Sequence, residues 1–432
     1  MANIVVAATP VPGHFNPMLV VARHLSAIGH SITFLTGSIF REQVVASGLR
    51  FVPLSGKANF NYLRIDEELP ERAAAKPGPE AMNAECIHTG INPVPDQEKA
   101  IRKILSEGPV DLIATDVWFW GVFPMLLGPR EARPPVVTFG VLPLLLSSRD
   151  VSPFTGPATG PDALLRNQQD TQNFYAMLQP ATEHFNEVLR ACGARELPEF
   201  FMDSAVHLPD RFLALTAEAL EYPRSDLKES VQFIGGLGAT VPANTPMPDW
   251  FDSLDQSKPV VLVTQGTIAN RDVSQLIEPT IEALANEEMT VIVAAGRPDL
   301  EVIRLPKGGK PENTRIENFI PFGKILPKVD VFVTNAGFGA VNMALTDGVP
   351  MVVAGETEDK SFTAARVAWT ETGINLETGR PTSEQIRSAV LAVLADEKYK
   401  RNAARLQKEF SRYDTFDAIT KTVNDLLSQK AG

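Results

Sequence analysis

His14 and Asp116 are the pair of side chains in this chain best suited to moving a proton. His14 lies in the run Pro12-Gly13-His14-Phe15-Asn16-Pro17, and Asp116 closes Thr115-Asp116 far downstream. An imidazole, with an ordinary pKa of about 6.5, accepts a proton at neutral pH when a neighbour fixes its tautomer and stabilises the imidazolium. A carboxylate suits that supporting role. A second group suits an anion: Asn335-Ala336-Gly337-Phe338-Gly339-Ala340 joins an apolar run to a helix-like segment. Glycines there let the backbone approach closely, and a helix start offers unpaired N–H groups and the positive end of the dipole. Thr264-Gln265-Gly266-Thr267 is a second polar turn of this kind, and the two together suit a diphosphate. Glu356-Thr357-Glu358-Asp359-Lys360 adds acceptor oxygens for several hydroxyls.

These residues need elements to hold them. Short β-branched runs at 3–8, 31–35, 111–115, 135–139 and 212–216 alternate with helical periods, the first of them 17–28, closed by Gly29-His30. Pro17 is read as the helix start. Near-continuous apolar runs are expected of parallel strands covered on both faces, so a doubly wound α/β sheet follows. The rhythm restarts at 259–264, 289–294, 315–318, 330–334 and 350–353, which predicts a second such sheet. His14 and Asp116 then lie at carboxyl ends of strands in the first sheet, where open α/β sheets bind ligands. The expected organisation is an N-terminal lobe over 1–235, a Pro- and Gly-rich connection over 236–258, a second lobe over 259–400, and helices over 401–432 that return to the first lobe. Thr382 with Gln385 predicts a capping box at the start of a late helix.

Composition excludes several classes. With 40 Lys plus Arg against 52 Asp plus Glu, the formal charge is −12, and no basic run suits a nucleic-acid backbone. Two cysteines, Cys86 and Cys192, cannot build a disulfide framework or a Cys-rich metal site, which fits a cytoplasmic protein. The longest apolar stretch, 136–146, is broken by Pro143 and falls short of the ~20 residues of a spanning helix, so no transmembrane segment is expected. The first turn, Thr9-Pro10-Val11-Pro12-Gly13, lacks the Gly-x-Gly-x-x-Gly of a nicotinamide dehydrogenase. His24, His30, His88, His184 and His207 are read as structural.

Gly-His-x-Asn-Pro near the start, Thr-Asp before an aromatic stretch, and Gly348-Val349-Pro350 in the second half occur in the order of a known family. The chain resembles the inverting UDP-glycosyltransferases of two-Rossmann-lobe (GT-B) fold, over nearly its whole length. The resemblance implies two doubly wound lobes facing a central cleft. It makes His14 the base that deprotonates an acceptor hydroxyl and Asp116 its support. It places the donor on the stretch from Thr334 to Ala340, with Asn335, Gly337 and Gly339, on the hydroxyl of Thr267, on Phe319 and Phe322 beside the nucleobase, and on Asp359 and Lys360 at the sugar hydroxyls. It departs from the family at four places: Asn335 stands for a histidine, Ala340 for Ser or Thr, Met343 for the ribose-binding glutamate and Lys360 for a glutamine. Asn335 can still donate to a phosphate oxygen, Lys360 can pair with a diphosphate or a hydroxyl, and Met343 cannot accept from ribose.

The expected function is therefore transfer of a hexose, glucose from UDP-glucose, to a hydroxyl of an apolar small molecule, with inversion and with neither metal nor bound cofactor. Phe15, Trp118, Phe119, Trp120 and Phe139 are expected to form the acceptor pocket. A monomer is expected. Two other readings stay open on the sequence: a nucleotide-sugar epimerase on the same fold, and a nucleotide-sugar-binding protein without catalysis.

Overall fold

The computed structural model describes residues 1–153, 155–238, 245–266 and 272–429. The chain forms two compact units: Met1–Leu215, Tyr222–Ile234 and Asp414–Gly432 make the first, and Thr216–Glu221 with Gly235–Tyr413 make the second.

The first unit is built on seven strands: β1 (Asn3–Ala7), β2 (Ser31–Thr36), β3 (Arg50–Pro53), β4 (Leu112–Asp116), β5 (Val136–Gly140), β6 (Arg211–Ala214) and β7 (Val231–Phe233). All pair in parallel, in the order β3-β2-β1-β4-β5-β6-β7. Val5, Ala7, Leu35, Ile113 and Val136 join one core, which the helix Val94–Glu107 covers with Ile101 and Ile104. The first helix runs Pro12–Ala27, starting at Pro12 rather than Pro17. Pro12 takes the position where a missing N–H costs nothing. Pro17 instead sits inside the helix, where it removes the bond to the Gly13 carbonyl. The helix ends as expected: Gly29 adopts φ 101°, its N–H donates to the Ser26 carbonyl at 3.0 Å, and the His30 N–H reaches Leu25 at 3.1 Å.

Asp210 joins the starts of β5 and β6. Its carboxylate accepts from Arg133 (2.6 Å), Arg130 (2.6 Å) and the Val136 N–H (2.7 Å). Burial alone would raise this carboxyl, but Arg133, the Val136 N–H and Arg130 outweigh it and hold it below the ordinary value of 3.8. A depressed folded pKa contributes stability that is present above the unfolded value and lost as pH falls through the folded one. Asp210→Asn should therefore destabilise the protein at pH 7 by roughly 1.5–3 kcal/mol, the range for hydrogen bonds to charged groups. The deficit should shrink below pH 3.8. Urea midpoints at neutral and acid pH check this, and a deficit that persists unchanged in acid would contradict it.

The second unit holds six strands: β8 (Val260–Thr264), β9 (Thr290–Ala294), β10 (Thr314–Glu317), β11 (Val331–Thr334), β12 (Met351–Val353) and β13 (Gly373–Asn375). They are parallel in the order β10-β9-β8-β11-β12-β13. Alternation is strict. Val261, Val263, Val291, Val293, Val331, Val333 and Val352 enter one core, and Val260, Leu262, Ile292, Ala294, Phe332, Met351 and Val353 enter the core of the other face. Thr382 and Gln385 form the expected capping box.

The domain limits differ from expectation at three points. Residues 216–221 belong to the second unit, where the Glu221 carboxylate accepts from Arg366 at 2.8 Å, with both side chains fully buried. The expected free connection is partly packed: Met247, Trp250, Phe251 and Leu254 lie against the second core, and Trp250 Nε1 donates to Glu317 at 2.7 Å. Apolar side chains of that size gain more by packing than a flexible linker would allow. The helix Glu397–Phe410 also stays with the second unit through Ala403, Leu406 and Phe410. Only the chain from Asp414 onward joins the first unit, where His24 Nε2 meets Thr420 Oγ1 at 2.8 Å and the ring lies 4.8 Å from Phe416.

Candidate active site

In the first sheet the strand order reverses direction between β1 and β4, so the chain leaves these neighbours toward opposite faces and opens a crevice at their carboxyl ends. His14 follows β1 and Asp116 ends β4. His14 Nδ1 lies 2.6 Å from Asp116 Oδ1. A carboxylate only accepts, so Nδ1 carries the proton and Nε2 is the nitrogen with a free lone pair. Asp116 is almost fully buried and is held from several sides. Oδ2 accepts the Thr9 N–H at 2.7 Å, and Oδ1 accepts the Trp118 N–H at 2.8 Å and the Thr9 hydroxyl at 3.3 Å. Buried carboxylates persist only with such partners. The network fixes the imidazole plane relative to the sheet edge.

A small apolar cavity is lined in part by the residues that follow Asp116 in the chain. Val117, Trp118 and Trp120 after β4, Leu142 and Leu144 after β5, and Met202 of the helix Phe201–His207 are among the residues that line it. Trp118 anchors the wall, with Nε1 donating to Thr89 Oγ1 at 3.1 Å. Thr89 belongs to a π-helical segment, Cys86–Ile91. Gly90 of that segment faces the Trp120 ring, and a Cβ there would stand 2.4 Å from it. The wider turn thus makes room for both indoles.

Of the five aromatics expected to meet the acceptor, only Trp118 and Trp120 line this cavity. Phe15, Phe119 and Phe139 are buried in the core; Phe15 stacks on Phe40 with centroids 3.9 Å apart. Edge position along a strand does not decide which way a side chain faces, and these three turn inward. Leu142, Leu144, Met202 and Val206 went unread. For the two leucines the one signal was the apolar run Leu142-Pro143-Leu144-Leu145-Leu146, which continues past a strand that had already ended. Of the other histidines, His207 pairs with Glu199 at 2.9 Å and His184 with Asn92 at 2.9 Å.

The second sheet repeats the reversal between β8 and β11. Thr264-Gln265-Gly266 follows β8, and Asn335-Ala336-Gly337 follows β11. Asn335 Nδ2 donates to the Gln265 carbonyl at 2.6 Å and ties the two turns together. One N–H of that amide remains for a ligand. Ala336 adopts φ 62°, rare for a residue with a Cβ, and Gly337 caps the helix Phe338–Thr346. The strained turn aims the first N–H groups of that helix outward, and a Cβ on Gly339 would meet only open space. Gly355 completes the cradle, because a Cβ there would stand 2.3 Å from the Asn335 carbonyl oxygen.

The other donor residues divide. Phe319 is exposed after β10 and presents a free ring face, whereas Phe322 packs edge-on against Phe332 at 5.7 Å. Phe322 is half-buried against the second core. Asp359 stands at the N-cap position of the helix Lys360–Trp369 without a capping bond from its side chain. Lys360 is buried, and its ammonium pairs with the Glu358 carboxylate. Thr267 lies outside the described residues. Among the described residues, no group of three or more His, Cys, Asp or Glu side chains is arranged to hold a metal, and no helix is long and apolar enough to cross a membrane.

Residues 280–426 match the model of the erythromycin biosynthesis protein CIII-like C-terminal domain. The whole chain is similar to UDP-glycosyltransferase 2 of Phaeomoniella chlamydospora, with 35% identity over 99% of this chain and 96% of that protein. The chain belongs to the UDP-glycosyltransferase family. It is a UDP-dependent glycosyltransferase. UDP-glucosyltransferase B1 of Starmerella bombicola is 30% identical over 98% of each chain. In fold, the chain is similar to the calicheamicin glycosyltransferase CalG4, with a TM-score of 0.74, 19% identity and full coverage of both chains. The two Rossmann-like units are those of the GT-B fold.

Proposed function

We propose that this UDP-glycosyltransferase transfers glucose from UDP-glucose to a hydroxyl of an apolar small molecule, with inversion at the anomeric carbon and without a metal. The observation that carries this reading is the 2.6 Å contact between His14 Nδ1 and Asp116. It leaves Nε2 as the base that takes the acceptor proton while the acceptor oxygen attacks the anomeric carbon from the face opposite the leaving UDP. Asp116 holds the ring and stabilises the imidazolium. The departing diphosphate is met by the free N–H of Asn335 and by the backbone N–H groups at the start of the helix Phe338–Thr346, preorganised donors of the kind that stabilise developing negative charge. Glucose is favoured by the similarity to a UDP-glucosyltransferase, and Phe319 offers the nucleobase an open ring.

The acceptor is read from the cavity lined by Val117 and Trp118 after Asp116, whose wall is aliphatic and aromatic. The match to a domain of an erythromycin biosynthesis protein supports an acceptor of natural-product type. Cys86 and Cys192 are free thiols, and burial, with Glu98, pushes Cys192 up to about 11, so both suit a reducing cytoplasm.

Product stereochemistry tests the reading. UDP-glucose carries an α-linked sugar, so a phenol glucosylated with inversion should show the β anomer by proton NMR. The rate should be unchanged in excess EDTA. An α product, or turnover that stops on chelation, would refute inversion or metal independence respectively.

A further inference from the structure

The acceptor wall contains a segment that the backbone alone does not hold. After β5 the chain runs through 141–150 without helix or strand, and 142–145 all line the cavity. Such a strap exposes peptide carbonyls and N–H groups that neither sheet nor helix satisfies, and burying them unpaired costs about 1–3 kcal/mol each. Its partners are concentrated in one tripeptide, Arg224-Ser225-Asp226. The Arg224 guanidinium donates to the Leu144 carbonyl at 2.8 Å and to the Leu146 carbonyl at 3.2 Å. Asp226 accepts the Ser148 hydroxyl at 2.5 Å and the Arg149 N–H at 3.0 Å. The Ser225 N–H and hydroxyl both reach Asp150 at 2.6 Å. From the other side, Asp203 accepts the Ser147 N–H at 2.8 Å and the Tyr175 hydroxyl at 2.7 Å. Asp203 lies on the same helix as Met202, Ala205 and Val206, so one helix both lines the cavity and grips the end of the strap.

We propose that Arg224 is a positioning residue for the acceptor: by bridging the Leu144 and Leu146 carbonyls it sets where the strap lies, and so which acceptors fit against Leu142 and Leu144. This rests on the reading of the cavity as the acceptor pocket. The guanidinium suits the task because its planar fork reaches two carbonyls at once, and its third nitrogen donates to Tyr222 O at 3.1 Å, fixing the fork in place. A lysine keeps the charge but reaches one carbonyl at a time. Arg224 touches no reacting atom in this proposal, so its effect should fall on acceptor binding and leave donor binding alone.

Steady-state kinetics decide it. The acceptors are 4-methylumbelliferone, 2-naphthol and quercetin, with UDP-glucose as donor, and the best-used of the three serves for KM. Arg224→Met should raise acceptor KM by at least about tenfold while UDP-glucose KM and kcat change by less than about threefold, the pattern of lost uniform binding. Arg224→Lys should fall between. Should the methionine variant not fold, Arg224→Lys and Asp226→Asn carry the test, each with a smaller rise confined to the acceptor. Ala205→Leu, which fills the cavity without touching the strap's polar ties, separates the two ideas. If Ala205→Leu raises acceptor KM and the Arg224 variants do not, the positioning role is overturned and the pocket stands. If Ala205→Leu also leaves acceptor KM unchanged, or none of the three acceptors is glucosylated by the unaltered protein, the pocket reading falls and the proposal falls with it.

Discussion

Alanine at position 14 is expected to lower kcat/KM by about 10²–10⁴, the span attributable to a positioned general base. The loss should appear in kcat, because the imidazole acts on the acceptor proton as the new bond forms, and calorimetric binding of UDP-glucose should be unaffected. Asp116→Asn should approach the same deficit by a different route. An amide can present its NH₂ to Nδ1, which favours the wrong tautomer and points the N–H of the ring at the acceptor. Turnover of His14→Ala within threefold of wild type at saturating acceptor would remove the histidine from the mechanism.

The second large effect concerns stability. Arg366 and Glu221 are both fully buried, and the carboxylate accepts from Arg366 Nε at 2.8 Å, while Nη1 donates to the Phe362 carbonyl at 3.0 Å. Removing one member of a buried pair strands the other charge, at a cost of about 3–5 kcal/mol. Glu221→Ala should therefore consume much of the ~5–15 kcal/mol that keeps a domain folded. Replacing both partners, Glu221→Leu with Arg366→Met, should restore most of the loss, since well-packed apolar residues often equal a buried ion pair. Two of the four tryptophans, Trp250 and Trp369, lie in the second unit and report its urea unfolding. Glu221→Ala with an unchanged midpoint would mean that the pair contributes little.

What the sequence disclosed follows from how each element is buried. The central strands were legible because both faces are covered: Val331-Phe332-Val333-Thr334 is buried throughout and reads as an unbroken apolar run. The short strands β3, β7 and β13 were not, since each is half-open, β7 is only three residues long, and Pro53 in β3 and Gly373 in β13 argue against a strand. Proline placement misled at the first helix, because both Pro12 and Pro17 satisfy the rule for a helix start and only the structure shows which one begins it. His14 and Asp116 could be paired from their positions at the ends of neighbouring central strands, a consequence of topology that sequence distance hides. The pocket was harder. Aromatic residues beside that edge looked suitable, yet Phe15, Phe119 and Phe139 pack inward. Beside Trp118 and Trp120 the wall comes from a leucine-rich strap, two of whose carbonyls accept from Arg224, some eighty residues away in the chain. Nothing in local periodicity encodes a partner at that distance.

The division of the chain carries a consequence for biosynthesis. The first unit begins at Met1 but takes in residues from Asp414 onward, where the helix Thr415–Gln429 meets His24 through Thr420 and Phe416. On the ribosome, the unit that carries His14 is started before the second unit and completed after it: the helix Thr415–Gln429 emerges only after the second unit has been made in full. A nascent chain stalled before Asp414 would expose the face that this helix covers, so chaperone engagement during synthesis should persist until the helix docks.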